Sequence, residues 1–129
     1  MKANPYFTAA EFRCKCGKCE GLSANCPPDE LVDILVKIRL HYGAPVTINS
    51  GYRCPTHNKK VGGAASSRHT FGDAADFVVK GVKTREVWAW VRREFYEKSD
   101  HLGLAIKHNG DYKGFVHLDT WKKREWTYK

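Results

Sequence analysis

A chain of 129 residues, 42% hydrophobic and 28% charged, has the size and balance of one globular domain spanning 1–129, which excludes a fibrous or disordered protein. No apolar run approaches the ~20 residues that a membrane helix needs, so a membrane span is excluded as well. The formal net charge of +8 calls for an acidic partner, but the lysines and arginines are scattered except at 122–124, so no nucleic acid is expected.

The opening "MKANPYFTAAEF" has no apolar core of the secretory kind. Synthesis in the cytoplasm is the expectation, with any action outside the cell reached by a signal-independent route. Four of the five cysteines follow closely, Cys14, Cys16, Cys19 and Cys26, while Cys54 stands apart. The C-x-C-x2-C-x6-C spacing fits no common zinc knuckle. Reduced or partly bridged cysteines are therefore favoured over a structural ion held by Cys14, Cys16, Cys19 and Cys26. Residues 1–26 are expected to pack as a cysteine-rich segment on the rest of the domain.

The stretch 27–43 is the strongest helix, with Leu31, Ile34, Leu35, Ile38 and Tyr42 at helical spacing and Gly43 to stop it. A short β-branched strand follows in "APVTINSGYR", then a long loop in "CPTHNKKVGGAASSRH". "AADFVV" (74–79) reads as a buried strand. Thr84 is placed to cap a second helix, "REVWAWVRREFYEK". Two further strands, "LGLAIKHN" and "GFVHLDTW", flank a turn at Asn109-Gly110, and the tail "WKKREWTYK" reads as a solvated final strand. The mixture predicts an α+β fold, a small antiparallel sheet with helices packed on it.

"SSRHTFGDAADF" sets His69 seven residues before Asp76 with small residues between them. In "GFVHLDTW", Phe115, His117 and Asp119 share one strand face, and Val116 and Leu118 share the other. An apolar pair turned to the core leaves His117 facing a cleft. Two imidazoles and one carboxylate leave a fourth tetrahedral position open, the arrangement of a catalytic zinc.

Ser67, His69, Gly72, Ala74 and Asp76 complete an S-x-H-x2-G-x-A-x-D pattern. This resembles the zinc-binding signature of the D-alanyl-D-alanine carboxypeptidases and related peptidoglycan peptidases, a superfamily that includes lysostaphin-like enzymes and the Hedgehog domain. "INSGYRCPTHNKKVGG" upstream, "GFVHLDTW" downstream and the "FTAAEFRCKC" opening extend the resemblance over most of the chain. It implies a Hedgehog/D-Ala-D-Ala peptidase-like fold with one zinc in a cleft on the sheet, held by His69, Asp76 and His117. It also implies that Arg53 binds substrate beside the metal and that Ser67 contacts substrate or positions its loop. Asp73, at a variable position of the pattern, is treated as a surface residue.

The chain departs from many relatives where the general base is concerned. They carry an acid three residues before the last histidine ligand, and here that position is Gly114; others have a histidine where this chain has Phe115. The nearest acids are Asp111 and Asp119. Asp111 is expected to be the base and Asp119 to orient a ligand imidazole. The implied activity is that of a zinc metallopeptidase on peptidoglycan stem peptides or cross-bridges, acting as a monomer, of carboxypeptidase or phage-endolysin type. The alternative is a non-catalytic zinc-containing binding module of the same fold.

Overall fold

The computed structural model describes residues 1–22 and 26–128; Ser23, Ala24 and Asn25 of the cysteine-rich segment, and Lys129, lie outside the described residues. Five strands form one sheet: β1 (Val46–Ser50), β2 (Ala74–Val79), β3 (Gly103–His108), β4 (Gly114–Asp119) and β5 (Arg124–Thr127). Their spatial order is β1-β2-β4-β3-β5. Every pairing is antiparallel except β3 with β5, which is parallel. The fold is thus α+β, with one parallel edge added to the predicted antiparallel sheet.

Among the described residues three α-helices accompany the sheet: α1 (Asp29–Tyr42), α2 (Pro55–Lys60) and α3 (Thr84–Val91). The predicted periodicity of α1 corresponds to its burial, with Leu31, Leu35 and Ile38 fully enclosed. Gly43, at φ +59°, ends it in the left-handed conformation that glycine adopts without steric cost. α1 and α3 cover one sheet face, where their apolar residues meet Ala75 and Phe77 of β2, Leu104 of β3, and Val116 and Leu118 of β4. Phe7 and Phe12 from the N-terminal segment enter the same core. No helix among the described residues is long and apolar enough to cross a membrane.

Two local expectations change. The stretch after Cys54 is not all loop: Pro55 opens α2, only six residues long and so too short to show a period in sequence. Thr84 is not the cap of α3 but its first, buried residue, and Lys83 takes the cap position. The Thr84 hydroxyl instead donates to the Lys113 carbonyl at 2.9 Å, tying α3 to the β3–β4 turn.

The opposite sheet face carries a row running across all five strands. Ser50, Asp76, His117, Ala105 and Trp126 are successive register partners from β1 to β5. Val46 and Ile48 point into the core, and simple alternation would send Ser50 after them. A bulge between Ile48 and Ser50 turns Ser50 to the other face, beside Asp76.

Candidate metal centre

Three donors converge on the exposed side of that row. His69 Nε2 lies 3.1 Å from Asp76 Oδ1, and His117 Nδ1 lies 2.9 Å from the same oxygen. Ligands ~2.0–2.2 Å from a tetrahedral zinc stand roughly 3.3 Å from one another, so the spacing fits that ion. All three residues are buried, which suits a site closed on the protein side.

Each imidazole is fixed from behind in the tautomer that such a site requires. His69 Nδ1 donates to the Gly51 carbonyl at 2.7 Å; a carbonyl can only accept, so Nε2 is left to bind metal. His117 Nε2 donates to Asp119 Oδ2 at 2.8 Å, which leaves Nδ1 facing Asp76. Asp119 is in turn held by Arg124, with Nη2–Oδ2 at 2.9 Å and Nη1–Oδ1 at 3.1 Å, and by the Trp121 N–H at 3.2 Å. Asp119 thus stands behind the His117 ring, on the side away from Asp76.

The electrostatics follow from these contacts. Burial pushes the Asp76 carboxyl up, but the His117 and His69 rings outweigh it and hold the group well below the ordinary carboxylate range. Burial likewise opposes a charge on His117, yet Asp119 and Asp76 raise it above its ordinary value. The Asp119 carboxyl, pushed up by burial, is held low by His117 and Arg124. The cluster is a pair of carboxylates stabilised by positive charge, a role that a divalent cation takes over as it displaces protons.

Arg53 stands at the rim. Its Nε donates to Ser50 Oγ at 3.0 Å and its Nη1 to Asn58 Oδ1 at 2.9 Å, while Nη2 lies 3.5 Å from Asp76 Oδ2. Asn58 is held in turn by its own donation to the Ala64 carbonyl at 2.8 Å. A side chain at Gly63 would start 2.0 Å from Asn58 Oδ1 and 2.7 Å from Arg53 Nη1, so glycine there keeps room for the clamp. Ser67 also lines the cleft, and its Oγ accepts the His69 N–H at 3.2 Å, fixing the turn from which His69 projects.

The strand β3 controls what else reaches the site. On the cleft face its first two residues are the small Gly103 and Ala105, so residues of β5 extend over it to β4. Across Ala105, the Trp126 ring approaches that of His117 to 5.0 Å. Across Gly103, Arg124 reaches Asp119. Tyr128 follows on the same side, with its ring 6.3 Å from that of His117. Burial and the Asp76 charge push the Tyr128 hydroxyl up to about 12, so it remains a proton donor at neutral pH. The tail is thus a final strand whose face at 124, 126 and 128 walls the cleft, while Lys122, Lys123, Glu125 and Thr127 stay exposed as expected. Its alternation at 124, 126 and 128 was the available signal, but nothing local says which strand it joins.

The cleft encloses about 810 Å³, and Lys15, Arg53, Arg68 and Arg124 give it positive charge. Two sequence expectations fail here. Asp111 does not line the cleft: it is exposed beside Lys83, 3.8 Å away, and its carbonyl accepts the Thr84 N–H on the α3 side. Gly114 has φ +91°, and a Cβ there would lie 1.8 Å from the Lys107 carbonyl oxygen. This backbone cannot present an acid from that position. Asp73 is not a free surface residue either; it pairs with Arg68 at 2.6 Å, and Arg68 stacks over Phe71 and Trp121.

The cysteine expectation also changes. Cys54, not Cys26, joins Cys14, Cys16 and Cys19, because the turn after Arg53 folds back on the N-terminal segment. Cys26 lies elsewhere and donates to the Gly72 carbonyl at 3.0 Å.

A stretch of 32 residues, 25% of the chain, is 56% identical to the zinc D-Ala-D-Ala carboxypeptidase of Streptomyces albus G, and spans 12% of that relative's length. The peptidase M15 model matches residues 5–119. That range runs from the N-terminal segment through all three donors to Asp119, and on it the chain belongs to the peptidase M15 family.

Proposed function

We propose that this chain is a zinc-dependent peptidase that hydrolyses a bond in the stem peptide or cross-bridge of peptidoglycan. The observation that carries the reading is the convergence of His69 Nε2, Asp76 Oδ1 and His117 Nδ1, each imidazole held from behind, at the floor of a cationic cleft. A zinc ion bound there would supply a water acidified from pKa 15.7 towards ~7 and a Lewis acid for the scissile carbonyl.

The chain's own groups do the remaining work. Arg53, locked by Ser50 and Asn58, presents its free edge to a substrate carboxylate or carbonyl oxygen. Tyr128 donates a hydrogen bond from the opposite wall, and Phe115, Trp121 and Trp126 provide apolar surface for the peptide. The positive rim attracts substrates that carry carboxylates.

Proton transfer needs a group other than Asp111. Apart from the metal donors, His57 is the imidazole among the described residues lining the cleft, and we assign it that role. His57→Gln is expected to lower the rate about 10²–10⁴-fold with zinc content unchanged, while Asp111→Asn leaves the rate as it was. The reverse pattern returns the role to Asp111. For Arg53, Lys is expected to cost about 10²–10³-fold in kcat/KM despite the retained charge, because lysine cannot hold Ser50, Asn58 and substrate together. Turnover at the wild-type rate in that variant would remove Arg53 from the site.

One observation favours a second reading, a non-catalytic wall-binding module: Asp76 is the lone carboxylate among the described residues lining the cleft. Digestion of purified peptidoglycan by the zinc-loaded protein, followed by mass spectrometry of the released fragments, decides between them. Loss of a terminal D-alanine indicates a carboxypeptidase, and new internal termini an endopeptidase. Material that is bound but not cut supports the second reading.

A further inference from the structure

We propose that Cys14, Cys16, Cys19 and Cys54 hold a second, structural zinc ion, separate from the His69–Asp76–His117 centre. The inference does not depend on the peptidase reading. The four sulfur atoms all lie within 4.8 Å of one another, and Cys54 Sγ is 3.8 Å from Cys16 Sγ. Four thiolates at ~2.3 Å from a tetrahedral ion stand roughly 3.8 Å apart, whereas a disulfide brings two sulfurs to ~2.05 Å. The observed spacing is that of a metal cage.

The backbone provides an independent reason. Every one of the four sulfurs accepts a main-chain N–H: Cys16 from Lys18 at 3.3 Å, Cys19 from Gly21 at 3.3 Å, Cys14 from Cys54 at 3.3 Å, and Cys54 from His57 at 3.4 Å. Donors aimed at sulfur favour thiolate over thiol, and four adjacent thiolates repel one another unless a cation sits among them. Two of these contacts run from residue i+2 back to cysteine i, so each turn wraps its sulfur. Gly17 and Gly21, at φ +70° and +96°, permit that tight path. An ion with four thiolates carries excess negative charge, and Lys15 and Lys18 flank it in sequence.

The place of the site gives it a task. Three ligands come from the N-terminal segment, and the fourth directly follows Arg53. The same segment is already joined to that turn by the Tyr52 N–H donating to the Phe12 carbonyl at 2.8 Å. Gly51 lies so close to Phe12 that a Cβ would stand 2.6 Å from its Cα. A metal there fixes both the turn that carries Arg53 and the Gly51 carbonyl that orients His69.

The test is metal stoichiometry of the full chain, purified under reducing conditions with zinc present and weighed by native mass spectrometry. Two zinc ions per chain are expected in the wild type. A His69→Ala/His117→Ala double variant is expected to keep one, and to show an intense thiolate-to-cobalt charge-transfer band when loaded with cobalt(II). Cys16→Ser/Cys19→Ser is expected to lose that ion; because this variant could fail to fold, the wild-type and histidine-variant counts carry the decision. One zinc in the wild type with none in the histidine variant overturns the proposal. So does an intact mass, under denaturing and non-reducing conditions, lowered by the hydrogens lost in disulfides. Cysteines that react with a thiol reagent equally fast before and after chelation overturn it too.

Discussion

His117→Ala is expected to remove one zinc equivalent per chain and to abolish hydrolysis. Two donors would remain, His69 Nε2 and Asp76 Oδ1, too few for the open three-ligand site that a catalytic zinc occupies. The substitution also strips a partner from two buried carboxylates. Asp76 keeps His69 at 3.1 Å and Arg53 at 3.5 Å, and Asp119 keeps Arg124 at 2.9 Å. Breaking a buried ion pair by deleting one partner costs ~3–5 kcal/mol, and these surviving contacts place the expected loss at or below the low end of that range. The protein should therefore fold, with a lowered Tm in calorimetry and a lowered zinc count by elemental analysis. A variant that retained its full zinc content and cleaved peptidoglycan would show that the metal is bound elsewhere.

Gly103→Val is expected to weaken zinc at the same centre without touching a ligand. A Cβ at this position would lie 2.5 Å from both Asp119 Oδ2 and Arg124 Nη1, so the side chain would drive the pair apart. Asp119 has no solvent exposure, and parted from Arg124 it would be a buried charge with His117 and the Trp121 N–H as its remaining partners. His117 would then lose the fixed tautomer that turns Nδ1 to Asp76. Loss of such an orienting partner lowers metal affinity roughly 10–100-fold. Competition with a calibrated zinc chelator measures this directly. An affinity equal to wild type, with the variant folded, would mean that the Arg124–Asp119 pair does not position the imidazole. A double variant that also carries Arg124→Ala tests the route: the two effects should be far from additive if both act through Asp119.

The candidate metal donors were legible in the chain through two separate motifs and their resemblance to a known signature. His69 and Asp76 belong to one motif, and alternation in "GFVHLDTW" fixed which face His117 takes once Val116 and Leu118 were assigned to the core. The same alternation puts Asp119 on the face of His117, whose Nε2 it contacts. It misplaced Asp111, because counting in twos holds only while the backbone stays extended. Gly114, at φ +91°, breaks the count between Asp111 and His117, and Asp111 turns to Lys83.

By itself the sequence determined α1, the β3–β4 hairpin and the α+β class, since each depends on residues close together in the chain. Which distant segments meet was decided by the tertiary structure alone. Strand periodicity states which face a side chain takes but never which strand lies alongside. Only the parallel pairing of β5 with β3 shows that Gly103 and Ala105 open a path for Arg124 and Trp126 to β4. Cys54 replaced Cys26 beside the other cysteines for the same reason. Ligand sets are chosen by distance in space, and the turn after Arg53 comes back to the N-terminal segment through hydrogen bonds and close packing that no spacing in the chain encodes.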